Sequence, residues 1–160
     1  MTTRRLPLLG PRDLSLPLAW RHGEPVSGHA FLAAAAALAE RLPRTGRAIN
    51  LCQDRLHFAL GLAATLQRGQ TNLMPPNALP ATLRQLPTDG APPYVLADEA
   101  SIDAGGLPVV PVDFDPAGAG AASTLDVPEV DGALEAVCLL TSGSTGAPQP
   151  HAKHFGPLTL

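Results

Sequence analysis

Lysine is almost missing from this chain: of its eleven basic residues ten are arginines, and the one lysine is Lys153. The arginines are scattered and the formal net charge is −3. That combination excludes the clustered basic face that nucleic-acid binding needs. Charged residues are few, at 16%, against 45% apolar residues. A chain so composed can bury a core, which excludes a disordered polymer. Cysteine is scarce as well. Cys52 and Cys138 form no CxxC pair and no disulfide framework. Each sits in an apolar, strand-like segment, so both read as buried core thiols in a reducing cytoplasm. Long hydrophobic runs are lacking too. The longest, Phe31–Ala39 and Phe58–Leu66, are about half of the roughly 20 residues that cross a bilayer, which excludes a membrane span. Arg4 and Arg5 before Leu6–Leu9 hint at an export signal, but Pro7, Gly10 and Pro11 interrupt it and Arg12–Asp13 closes it early.

What remains is a length of 160 residues, suited to one domain. The N-terminus up to Pro17 is rich in Pro and Leu and is expected to lie over another surface. Leu18–Arg21 and Glu24–Val26 flank His22–Gly23, a two-residue hairpin signal. Ser27 offers an N-cap to a helix over about 28–42, whose Phe31, Ala35, Leu38 and Leu42 share one stripe. Ala48–Cys52 reads as a buried parallel strand. Asp54 caps a helix to about Gln67, apolar nearly all round, and Gly69 ends it. Thr71–Met74 is a strand, Leu79–Leu86 a short helix, and Tyr94–Ala97 and Val109–Val112 are strands. This is the βαβ rhythm of an open, mostly parallel α/β sheet. Residues 115–133, dominated by Ala, Gly, Pro and Asp, read as a loop without structure of its own. Ala136–Thr141 is the last strand, and no closing element is expected over Phe155–Leu160.

That last strand runs into Thr141-Ser142-Gly143-Ser144-Thr145-Gly146-Ala147-Pro148. Glycines let a backbone approach a ligand closely and turn successive N–H groups toward one anion. Hydroxyls add donors to phosphate oxygens and ligands for Mg²⁺. The order is neither a Walker A loop nor a dinucleotide fingerprint; a Ser/Gly-rich surface turn is the bland reading. Elsewhere the bland readings prevail. His151 and His154 beside Lys153 make a poor metal site and read as polar loop residues. His57 reads as a satisfied helix histidine, Asp54–Arg55 as a helix cap, and Asp98, Glu99 and Asp103 as a solvated turn.

The loop closely resembles the phosphate-binding signature of the adenylate-forming superfamily, Thr-Ser-Gly-Ser/Thr-Thr-Gly-x-Pro-Lys, with Gln149 in place of the final Lys. Cys52-Gln53-Asp54-Arg55 after a strand, the segment Arg68–Pro75 and the hairpin at Ala19–Gly23 resemble the same enzymes more weakly. The wording is nearest to ligases of aryl-polyene and xanthomonadin-type pigment clusters, which load aromatic acids onto carrier proteins. The resemblance implies the incomplete N-terminal portion of an adenylation domain over residues 1–160, interrupted just after its phosphate loop. It implies an ATP-dependent acid–thiol ligase: a carboxylic acid substrate, ATP with Mg²⁺, and a CoA or acyl-carrier-protein thiol as acceptor. Ser142, Gly143, Ser144, Thr145 and Gly146 would grip the phosphates, with Thr141 orienting the loop and Lys153 joining only if the chain folds back. The family's acidic metal-binding motif, ribose-binding Asp and catalytic Lys lie further along, so no catalytic or metal-ligating residue is assigned here, and the segment alone is expected to be inactive. The alternative is a non-catalytic remnant or a stand-alone phosphate- or nucleotide-binding module.

Overall fold

The computed structural model describes residues 4–86, 88, 90–116, 126–142 and 148–159. Strands β1 (Arg5–Pro7), β2 (Pro17–Arg21) and β3 (Glu24–Ser27) precede helix α1 (Gly28–Arg41). Then follow β4 (Ala48–Asn50), α2 (Arg55–Gln67), β5 (Asn72–Met74), α3 (Pro80–Arg84), β6 (Tyr94–Ala97) and β7 (Val109–Pro111). The described remainder holds β8 (Glu129–Asp131), β9 (Glu135–Ser142), β10 (Pro148–His154) and a short helix α4 (Phe155–Leu158).

The caps read from sequence are in place. Ser27 Oγ accepts from the Ala30 amide at 3.1 Å, and Asp54 Oδ1 accepts from the Leu56 and His57 amides at 2.8 and 3.1 Å. At the end of α2, Gly69 adopts φ +66°, the left-handed step that closes a helix. Between β2 and β3, His22 (φ +51°) and Gly23 (φ +84°) make the two-residue turn whose positive φ values suit a hairpin's twist.

A six-stranded sheet in the order β10-β9-β5-β4-β6-β7 organises the molecule. Its β9, β5, β4, β6 and β7 run parallel, and β10 turns back antiparallel along β9. The short apolar runs are explained by burial on both faces. Ala48, Tyr94 and Leu96 pack with α1 and α2, while their neighbours Ile49, Val95 and Ala97 pack on the other face with Leu83, Leu86 and Ala104. Helix α2 meets the sheet closely at Gly61, where an added Cβ would lie 2.7 Å from Asn50 Nδ2 and 3.0 Å from Leu96 Cδ1.

Two expectations are corrected. Within 115–133, expected to lack structure of its own, Glu129–Asp131 is a strand that pairs antiparallel with Arg5–Pro7, while 117–125 lie outside the described residues. The N-terminus lies over another surface, as expected: Leu8, Leu9 and Leu14 pack on the core, and Arg5–Pro7 forms a two-stranded ribbon. The chain after the glycine-rich loop is also structured: β10 and α4 follow, with Phe155 buried against Val130, Ala136 and Val137. Cys52 and Cys138 are both buried and neither is in a disulfide, as the sequence indicates. No described helix is long and apolar enough to cross a membrane.

Candidate phosphate-binding site

All the parallel strands deliver their carboxyl ends to one edge of the sheet, where open α/β folds bind ligands. Five segments leave that edge: 51–54 after β4, 75 onward after β5, 98 onward after β6, 112 onward after β7, and the glycine-rich loop after β9. Strand order reverses between β4 and β6, since the chain passes from β4 to β5 on one side and then to β6 on the other. This is the position where a crevice ordinarily opens and where a helix N-terminus meets an anion.

The chain fills that position itself. Asp98, the first residue after β6, accepts from the Gln53 amide at 2.9 and 3.1 Å and from the Asp54 amide at 2.8 Å. His57 Nδ1 donates to Asp98 Oδ2 at 3.1 Å. With its side chain only 7% exposed, Asp98 is no solvated turn residue, which corrects that part of the acidic-cluster reading. Glu99 and Asp103 are exposed, as expected. Burial alone would push the Asp98 carboxyl up, but the hydrogen bonds from Gln53, Asp54 and His57 hold it below the ordinary value. Asp54 is likewise held low, chiefly by the His57 amide. The histidine is half satisfied: its Nε2 is buried with no partner among the described residues. Beside this carboxylate pair, desolvation first and Asp98 second push the Cys52 thiol up to about 12. Thus α2's N-terminus, with its positive dipole, is occupied by Asp98 from without and capped by Asp54 from within. The sequence carried a signal for this: an Asp directly after an apolar strand, with a second Asp capping the helix beside it.

The loop after β9 leaves the sheet at this same edge. Thr141 and Ser142 are the last two residues of β9, and Thr141 is exposed at its end. Gly143, Ser144, Thr145 and Gly146 lie outside the described residues. The returning strand fixes what stands beside the loop. Pro148 pairs with Ser142, Gln149 with Thr141, and Lys153 with Val137. At about 3.4 Å per residue, β10 carries Lys153 roughly 17 Å from Pro148, away from the loop. Residues 148–154 are held extended by pairing with β9, and the loop whose fold-back would bring Lys153 to the phosphates lies outside the described residues. His151 and His154 stand on the same exposed strand rather than in a loop. Among the described residues no three His, Cys, Asp or Glu side chains converge to hold a metal ion.

No family model matches the chain, and no curated relative does. Solved structures do. A malonyl-CoA ligase, in a ternary product complex with methylmalonyl-CoA and AMP, aligns with a TM-score of 0.65 and 24% identity over 93% of this chain and 32% of that one. Bacillus subtilis o-succinylbenzoate coenzyme A synthetase (MenE), in complex with ATP and magnesium ion, gives 0.62 and 18%, over 89% and 40%. The N-terminal subdomain of Klebsiella oxytoca NpsA, in complex with 3-hydroxybenzoyl-AMSN, gives 0.57 and 16%, over 88% and 37%. The fold is that of the N-terminal part of adenylating-enzyme domains. The adenylating fold thus accounts for the mostly parallel sheet, and this chain spans about a third to two-fifths of the structures it matches.

Proposed function

We propose that this chain is the front segment of an ATP-dependent ligase that activates a carboxylic acid as an acyl-adenylate for transfer to a thiol of CoA or an acyl carrier protein. The observation that carries the proposal is the position of the Thr141–Gly146 motif. It starts on the last two residues of β9, at the carboxyl edge of the adenylating fold, while the competing anion position is closed by Asp98.

On this reading Thr141 and Ser142, fixed by the β9–β10 ladder, set the direction of the loop. Its glycines turn backbone N–H groups toward the β- and γ-phosphates of ATP, and Ser142, Ser144 and Thr145 supply hydroxyl donors. The loop's work is positioning and charge stabilisation while the acid's carboxylate attacks the α-phosphate. Mg²⁺ held on the phosphate oxygens supplies neutralisation of their charge. Aromatic acids are the substrate class favoured by the sequence likeness to pigment-cluster ligases.

Calorimetric titration with ATP and Mg²⁺ tests the site. Ser144→Ala combined with Thr145→Ala should weaken binding about tenfold, roughly 1.4 kcal/mol for lost charge-assisted hydrogen bonds. Binding unaffected by these substitutions would place the nucleotide elsewhere. The segment reading is tested separately. The 160-residue protein should show no acid-dependent exchange of pyrophosphate into ATP, and robust exchange would overturn it.

A further inference from the structure

Three arginines gather at the end of the sheet opposite the glycine-rich loop. Arg44 and Arg47 lie between α1 and β4, and Arg68 caps the C-terminus of α2. With Gly46, Gly69 and Gly90 they line a cleft of about 620 Å³. The three glycines hold φ values of +102°, +66° and +80°. Gly46 is pressed against the Pro92 carbonyl, 2.6 Å from where a Cβ would stand. Around Gly69 and Gly90 an added Cβ would meet nothing within 4 Å, so both lips are open.

The floor of the cleft is fixed. Gln70 is buried; its Nε2 donates to the Pro43 carbonyl at 2.8 Å, and its Oε1 accepts from the Tyr94 hydroxyl at 2.7 Å. That relay ties α1's exit, α2's exit and β6 into one rigid base. The walls are cationic. Arg47 pairs with Glu135 at 3.8 Å, whereas Arg44 and Arg68 are exposed and have no carboxylate partner among the described residues. Arg68 gains something from the negative end of the α2 dipole and Arg47 is held by Glu135, which leaves the Arg44 charge without a counterpart among the described residues. Guanidinium forks match phosphate oxygens bidentately, so an anion in the cleft is attracted by the arginines that line it. The size of the cleft exceeds what one phosphate needs and falls within the range of small-molecule sites.

We propose that this cleft is a second anion site, distinct from the loop, which binds a small linear polyphosphate through Arg44, Arg47 and Arg68. Titrating the full chain with inorganic triphosphate at low salt should show binding that falls steeply as salt rises. Arg44→Glu with Arg68→Glu should weaken it more than tenfold, and the milder Arg44→Gln with Arg68→Gln should weaken it several-fold. Circular dichroism melts of both pairs establish that the variants are folded. The loop pair Ser144→Ala and Thr145→Ala should leave this binding unchanged. The opposite pattern, loss in the loop pair and retention in the arginine pairs, would overturn the proposal by assigning the triphosphate to the loop. Citrate binding as tightly as triphosphate would overturn the phosphate assignment. Asp89 adjoins Gly90 in sequence and lies outside the described residues; binding that emerges only in Asp89→Asn would mean that the arginines are already neutralised, and would likewise overturn it.

Discussion

Gln149 stands directly opposite Thr141 in the β9–β10 ladder, while Lys153, four residues on, stands opposite Val137. Side chains directly across a ladder have Cβ atoms about 5 Å apart, so residue 149 neighbours the first residue of the loop and residue 153 does not. A lysine at 149 would bring a cation to the phosphates that the neutral amide cannot supply. Gln149→Lys is therefore expected to tighten ATP or pyrophosphate binding about tenfold, roughly 1.4 kcal/mol. Lys153→Ala should change it less than twofold. Calorimetry on both variants checks the order, and a larger effect from Lys153→Ala would show that the loop reaches back along β10.

Asp98 should govern acid stability. Its carboxyl is depressed below the ordinary value of 3.8, so the unfolded chain takes up its proton first as pH falls. The stability from this group is complete above that value and is lost as pH drops below about 4 through the lower folded value. Asp98→Ala strands the Gln53 and Asp54 amides and His57 Nδ1, at a cost of about 2–4 kcal/mol. Asp98→Asn keeps one acceptor and should lose less while flattening the acid limb. Urea melts between pH 3 and 7 measure both, and an Asp98→Asn curve parallel to wild type would show that Asp98 is not the group titrating.

Gly61 sets how near α2 approaches the sheet. Alanine is the better helix former by about 1 kcal/mol, but its Cβ would sit 2.7 Å from Asn50 Nδ2, which donates to the Phe58 carbonyl at 2.8 Å. Overpacking of this kind costs about 1–3 kcal/mol, and the Asn50 bond would be disturbed as well. Gly61→Ala should lower Tm, and Gly61→Val should lower it further. A raised Tm for Gly61→Ala would mean that the Asn50 amide yields freely.

Cys52 should be inert. With its thiol pushed up to about 12, only on the order of one molecule in ten thousand carries a thiolate at pH 8, and the thiolate is the nucleophile. Iodoacetamide should label Cys52 in denaturant and not in the native protein, as mass spectrometry would show. Rapid native labelling would place Cys52 in an open segment.

Local chemistry was legible wherever one residue type decides the backbone. Ser27 and Asp54 announced their helices, His22–Gly23 its hairpin, Gly69 the end of α2, and Ala48 and Tyr94 the starts of buried strands. Pairing between distant segments was not. Arg5–Pro7 and Glu129–Asp131 have no alternating apolar pattern, since each offers a single inward residue, Leu6 and Val130. Each becomes a strand only through the other, more than a hundred residues away. β10 was hidden for a similar reason: its residues 149–154 are all exposed, so hydropathy carries no signal and two prolines argue against a strand. Asp98 looked solvated because two of its three partners, the Gln53 and Asp54 amides, are backbone groups that leave no trace in side-chain composition.

Those two prolines have a consequence for how the molecule meets its own copies. β10 is the outer strand of the described sheet, and an outer strand is a template for further strands. Pro148 and Pro150 carry no amide hydrogen, so along this rim a visiting strand would find acceptors without their matching donors. Lys153, with any charge on His151 and His154, adds repulsion between two identical rims brought face to face. Within the described sheet this edge thus offers few donors to a second copy, which discourages filament growth through it.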